Sequence, residues 1–80
     1  MTAFEQFEHS FWMGIVSDPE GTIWRVRSLR ENLRASIAAD KILGRFYPGA
    51  EGPSTKVNEG AVAMIDRLLG EYDSLDEVPF

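Results

Sequence analysis

The chain has 80 residues, of which eight are Lys or Arg and thirteen are Asp or Glu, so its net charge at pH 7 is −5. This length predicts a single domain over residues 1–80. Because the chain has no cysteine, it has no disulfide framework, no thiolate nucleophile and no Cys-type zinc site. No apolar run approaches the length of a signal core or a membrane span, so we expect a cytoplasmic protein with no membrane partner.

The charge is segregated along the chain. Residues 25–45 hold six basic and two acidic residues, a net charge of +4, whereas the other residues hold two basic and eleven acidic ones, a net charge of −9. An acidic molecule is repelled by nucleic acid at long range, although a local basic surface could still contact it. The net charge therefore argues against a nucleic-acid partner.

A first helix is predicted over about residues 3–16. Thr2 can cap it, with Glu5 at the capping-box position three residues on. Four large apolar residues recur at helical spacing: Phe4, Phe7, Phe11 and Ile15. Three phenylalanines on one stripe predict a large contribution to the core.

The alternative for this region is a β-hairpin over residues 11–28. In it, FWMGIV and TIWRVRS would be strands joined by SDPEG. The three- and four-residue apolar spacing on both sides of this segment favours helix instead.

A long second helix is predicted over about residues 19–45. Ser17 or Asp18 can cap it, and Pro19 suits its first position. At 100° per residue its apolar residues form two stripes on roughly opposite flanks. The Val26 stripe contains Val26, Leu29, Leu33 and Ile37. The Trp24 stripe contains Trp24, Ala35, Ile42 and Phe46. Because each stripe needs covering, we expect this helix in the middle of the fold, with a neighbour on each side.

A basic ridge runs between the two stripes, its members three, four, seven and four residues apart: Arg27, Arg30, Arg34, Lys41 and Arg45. The ridge could be a solvated edge with local pairing to Glu31, or it could meet acids of the C-terminal tail. It could also contact a partner's acidic surface or a phosphate backbone, since guanidinium groups suit carboxylates and phosphates. The candidate partner-binding residues are this ridge together with Trp12 and Trp24.

The segment FYPGAEGPS, with two Pro and two Gly, is predicted to end the second helix and to form a loop before the last one. Ser54 or Thr55 would then cap a third helix that runs back antiparallel to about Tyr72. Its outer face is expected to carry Glu59 and Asp66. Its apolar stripe contains Val57, Ala61, Met64, Ile65, Leu68 and Tyr72. Residues 73–80 are expected to form an acidic tail.

Catalytic and metal-binding constellations are missing from the sequence. His9 is the only histidine, so a Ser–His–acid triad or a multi-His metal site cannot be built. The acids of the tail lack the spacing and central glycine of a calcium loop. The segment GAEGPSTK lacks the residue order of a phosphate-binding loop. We therefore expect no catalytic residue, no metal, no cofactor and no enzymatic activity.

Trp12-Met13-Gly14 and Tyr72-x-x-x-Asp76 resemble the two short signatures of the WXG family of secreted helical hairpins. In that family the Trp–Gly turn separates two long helices. Here such a turn would follow a single short helix, and PGAEGP would interrupt the second one. The resemblance is confined to these positions, and we do not assign the chain to the family.

By elimination, the sequence favours a non-catalytic binder that occupies the surface of another protein as a regulator, adaptor or inhibitor. Small acidic inhibitors of phage type are comparable in size and charge. Surplus apolar residues also predict either a homodimer or a site that awaits a partner. The alternatives are a nucleic-acid contact through the basic ridge and a structural subunit of a helical assembly.

Overall fold

The computed structural model describes residues 2–48 and 53–75, with side chains for 2–48 and 55–75. These residues form three helices and no strand: α1 (Ala3–Ser17), α2 (Pro19–Phe46) and α3 (Pro53–Leu75). The predicted all-α, three-helix fold is confirmed, and the hairpin alternative is wrong because residues 11–17 and 19–28 are helical. Residues 49–52 of the predicted loop and residues 76–80 of the predicted tail lie outside the described residues.

The first two helices begin at side-chain caps. The Thr2 hydroxyl accepts a hydrogen bond from the Glu5 amide at 3.1 Å, as the capping-box spacing predicts. Asp18, and not Ser17, caps α2, because its carboxylate accepts from the Gly21 amide at 3.1 Å. Ser17 belongs to α1 and donates its hydroxyl to the Met13 carbonyl. Asp18 is thus the only residue between α1 and α2.

The Trp-x-Gly positions do not form a turn. Helix α1 continues through Trp12 and Gly14 and ends at Ser17. At Gly14 the helix lies against α2 so closely that an added Cβ would stand 2.5 Å from the Thr22 hydroxyl oxygen. The glycine is explained by this close approach between two helices.

The core is built from all three helices. Its five buried apolar residues are Phe11, Val26, Ile65, Leu68 and Leu69. Phe7 and Ile15 pack against this cluster from α1, whereas Phe4 at the start of the helix is largely exposed. The phenylalanine stripe therefore enters the core most deeply at Phe11, which is 3% exposed.

Helix α3 differs from the prediction at both ends. It begins at Pro53, and Thr55 does not cap it: the buried Thr55 hydroxyl donates to the Asp40 carboxylate at 3.0 Å. This bond joins the end of α2 to the start of α3. At the other end the helix continues past Tyr72 to Leu75, so the first residues of the expected tail are helical.

Helix α2 is buried on one side only, contrary to the expectation of a neighbour on each side. Both α1 and α3 contact α2, and they pack around the flank that carries Val26 and Leu33. On the opposite flank Trp24 is 70% exposed, Ile42 53% and Phe46 75%, and Ala35 is also exposed. No described residue covers the Trp24 stripe.

Replacing Phe11 by Ala should cost about 3–5 kcal/mol, the usual range for a buried aromatic. A domain of this size has a total stability of only about 5–10 kcal/mol, so the variant should be largely destabilised. Phe46→Ala, at an exposed position, is the matched control and should change stability by less than about 0.5 kcal/mol. Urea unfolding followed by far-UV dichroism measures both. Equal losses in the two variants would contradict this packing.

Gly14→Ala should destabilise the protein by about 1–3 kcal/mol, because the new methyl group would displace the Thr22 side chain. Gly70→Ala, in α3, is the control: nothing lies within 4 Å of its added Cβ. It should stabilise by about 0.5–1 kcal/mol through helix propensity alone. Thermal unfolding of the two variants should therefore shift in opposite directions. A shift in the same direction would show that α1 and α2 do not approach at Gly14.

Candidate functional site

The basic ridge divides into an inner and an outer group. Three of its members face carboxylates: Arg30, Arg34 and Lys41. Arg30 Nη1 lies 3.1 Å from Asp66 Oδ1, and Arg34 contacts the same oxygen at 3.7 Å through Nη2. Lys41 Nζ lies 3.5 Å from Glu59 Oε1. These contacts lie along the boundary between α2 and α3.

Arg30 is the most enclosed ion-paired member of the ridge. Its side chain is 23% exposed, and Nε is buried without a hydrogen-bond partner among the described residues. Glu31 Oε1 lies 3.7 Å from that Nε and 3.2 Å from Arg34 Nη1, so Glu31 joins the two arginines locally. The guanidinium groups of Arg30 and Arg34 are therefore both paired with Glu31 and Asp66.

The acids that meet the ridge are on α3. Glu59 and Asp66 were expected on the outer face of the third helix, but they lie beside the basic residues of α2. The two carboxylates are seven residues apart, which places them on one side of α3. Because α3 runs antiparallel to α2, its acids lie along the α2–α3 boundary, next to the basic ridge.

Arg27 and Arg45 form the outer group. Both are exposed, and neither makes an ion pair with a described residue. They are eighteen residues apart, which is five full helical turns, so they occupy the same angular position about 27 Å apart. Each follows a residue of the Trp24 stripe by three positions, Arg27 after Trp24 and Arg45 after Ile42. The stripe thus has a cation beside each end.

The two tryptophans belong to different surroundings. Trp12 is partly buried and packs edge-on against Phe11, with ring centroids 5.0 Å apart and an interplanar angle of 76°. Trp24 is exposed on α2 and lines a shallow cavity of about 300 Å³ with Glu20, Ile23, Arg27 and Tyr72. The structure therefore brings Trp24, but not Trp12, together with an outer member of the ridge.

Tyr72 lies at this site, although the sequence did not predict it as a partner-binding residue. Its place in the apolar stripe of α3 predicted a core position, and it does pack against the core. It also lines the cavity at Trp24. The signal that could have found it is chemical: tyrosine carries a polar tip, which suits a boundary between core and solvent.

No family model, curated protein sequence or solved structure matches the chain. Within the described ranges, no three His, Asp or Glu side chains are grouped as a metal ion would require. No helix in the part of the chain that the structure describes is both long and apolar enough to cross a membrane.

Asp66→Asn should cost about 1 kcal/mol of stability, because it removes the carboxylate charge that faces Arg30 and Arg34. The loss should shrink at high salt, which screens such pairs. Arg27→Gln is the control and should change stability by less than about 0.5 kcal/mol. Urea unfolding at two salt concentrations measures both variants. A loss at Arg27 as large as that at Asp66 would contradict the division of the ridge.

Proposed function

We propose that the protein acts by binding another protein stoichiometrically, without catalysis, as a small regulator or inhibitor. The contact surface is the Trp24 stripe of α2, with Arg27 and Arg45 beside it. The observation that carries the proposal is the exposure of Trp24, Ile42 and Phe46 on one flank of a helix whose other flank is packed.

The exposed stripe is costly for an isolated molecule. Burying one large apolar side chain is worth about 1.5–3 kcal/mol, and this gain is not realised at Trp24, Ile42 or Phe46 in the chain alone. The stripe extends about 33 Å from Trp24 to Phe46. Ser28 and Glu31 separate Trp24 from the other members, which run from Ala35 to Phe46. Exposed apolar clusters of this kind commonly mark an interaction site.

The residue types at the Trp24 end fit a binding hot spot. Tryptophan, tyrosine and arginine are the residues most enriched among those that dominate interface energies. Here Trp24, Tyr72 and Arg27 line one shallow cavity. A partner side chain seated in it would be surrounded by all three.

A nucleic-acid contact through the ridge has less support. Arg30, Arg34 and Lys41 face Asp66, Glu31 and Glu59, so their charges are compensated within the chain. Of the ridge as the structure describes it, Arg27 and Arg45 remain for phosphates, on a molecule with a net charge of −5. Two such contacts supply little of the electrostatic attraction that nucleic-acid binding requires.

The proposal is tested by capture from extracts of the cells that make the protein, with photo-crosslinking and mass spectrometry. The wild type should retain one protein at a one-to-one ratio. Trp24→Ser/Phe46→Ser should weaken its binding by at least about thirtyfold, the effect of losing a hot spot of about 2 kcal/mol. Val16→Ser, which alters an exposed apolar residue at the end of α1, is the matched control and should bind normally.

Retention of the same protein by the double variant at wild-type affinity would contradict the proposed surface. Dichroism should first establish that all variants keep the helical content of the wild type, because the substituted residues are exposed.

A further inference from the structure

We infer that the occupant of the Trp24 stripe is an amphipathic helix of another protein, with acidic residues along the edge that meets Arg27 and Arg45. This inference rests on the proposed function and names the chemistry of the partner. It is drawn from the spacing of the residues along the exposed flank of α2 and from the charges at its edges.

The exposed flank follows the spacing of a coiled-coil seam. Beginning at Trp24, residues recur at alternating intervals of four and three: Trp24, Ser28, Glu31, Ala35, Ala38 and Ile42. All but the half-buried Ser28 are exposed. A face with this period accepts a second helix lying nearly parallel or antiparallel to α2.

The sizes of the side chains along the seam indicate which side chains a partner helix needs opposite them. Trp24 at one end and Ile42 at the other are large, whereas Ala35 and Ala38 between them are small. A helix that packs here can place large apolar residues opposite the two alanines and smaller ones opposite the ends. Alternation of large and small residues across a seam is how facing helices fill the space between them.

A second copy of the chain does not fit the same seam in an antiparallel pairing. In that arrangement each edge of the seam meets the identical edge of the other copy. The edge that carries Glu20, Arg27, Arg34 and Lys41 would then face itself. Arg34 and Lys41 are paired with acids of their own chain, so the repulsion is left to Arg27. Like charges placed together across an interface are destabilising.

A parallel pairing of two copies is opposed by a different contact. Each seam residue would face its own equivalent, so the exposed Glu31 would meet a second Glu31 at the centre of the interface. The basic edge would meet an edge that carries Arg25, Asn32 and Ala39, which offers no carboxylate. Charge therefore opposes both symmetric arrangements.

An acidic helix suits both Arg27, which lies on that edge, and Arg45, which continues the spacing of the seam three residues after Ile42. Arg27 and Arg45 lie in line about 27 Å apart, so carboxylates five turns apart on a partner helix could face both at once. Arginine pairs with carboxylates through two parallel hydrogen bonds, which also fixes the register of the two helices. Trp24 and Ile42, the large apolar residues of the seam, then supply affinity, and the two arginines select the partner.

The test uses two synthetic peptides about three heptads long, with the same apolar seam. One carries Glu and the other Lys at the edge positions. Fluorescence anisotropy at low salt should show that the wild-type protein binds the Glu peptide on the order of tenfold more tightly than the Lys peptide. Added salt should reduce this preference.

Charge reversal supplies the controls. Arg27→Glu/Arg45→Glu should invert the preference between the two peptides, whereas Lys56→Glu, at an exposed position on α3, should leave it in place. Trp24→Ser/Phe46→Ser should weaken the binding of both peptides. Sedimentation of the wild type should show a monomer, and a low-salt gel shift with duplex DNA should show no complex.

The inference would be overturned by equal affinity for the two peptides, by no binding of either, by a gel shift, or by a dimer that Trp24→Ser/Phe46→Ser dissociates. These failures differ from a failure of the proposed function. If the cellular partner still depends on Trp24 and Phe46 but shows no charge preference, only the inference fails. If the partner ignores Trp24 and Phe46, the proposed function fails.

Discussion

Helix α2 packs the flank that carries Val26 and Leu33 against α1 and α3 and leaves the Trp24 stripe in solvent. The short connection at Asp18 holds α1 beside the first half of α2, and α3 returns along the same flank. Because Phe11 and Leu68 pack in one cluster with Val26, the apolar faces of α1 and α3 are both directed at that flank of α2. The opposite flank of α2 is then exposed because no described element remains to cover it.

The polar contacts follow from the same arrangement. With α3 antiparallel to α2, Asp66 meets Arg30, Glu59 meets Lys41, and the Thr55 hydroxyl meets Asp40. The two ion pairs involve side chains that solvent reaches, so each contributes modestly to stability, whereas the Thr55 hydroxyl is buried. They also compensate the middle of the basic ridge and leave Arg27 and Arg45 as its outward-facing charges.

Much of the fold could be predicted from residue spacing and capping chemistry. Local sequence is enough to predict three features: the Thr2 cap, the start of α2 at Pro19, and the apolar periodicity of the helices. The rotation of α3 about its axis could not be predicted. Glu59 and Asp66 are compatible with an outer face until it is known which side of α3 lies against α2. The same holds for the Trp24 stripe: its apolar character predicts that something covers it, but the sequence of one chain does not say whether that is another helix of the fold.

The site shows the same division between local and tertiary information. The basic ridge was visible as a pattern, but its separation into Arg30, Arg34 and Lys41 against Arg27 and Arg45 depends on where α3 lies. Trp12 and Trp24 are equivalent by residue type and differ because Trp12 packs against the core, whereas Trp24 lies on the uncovered flank of α2. Tyr72 joins the surface because α3 ends near the start of α2.

The Trp24 stripe is open in the isolated chain, and we propose that another protein covers it. Acrylamide quenching of a Trp12→Phe variant, in which Trp24 is the only fluorophore of its kind, tests this claim most directly. The account predicts quenching close to that of a fully solvated indole, independent of protein concentration, and strong protection when the partner is bound. Protection of Trp24 in the isolated protein, or protection that grows with its concentration, would contradict the account.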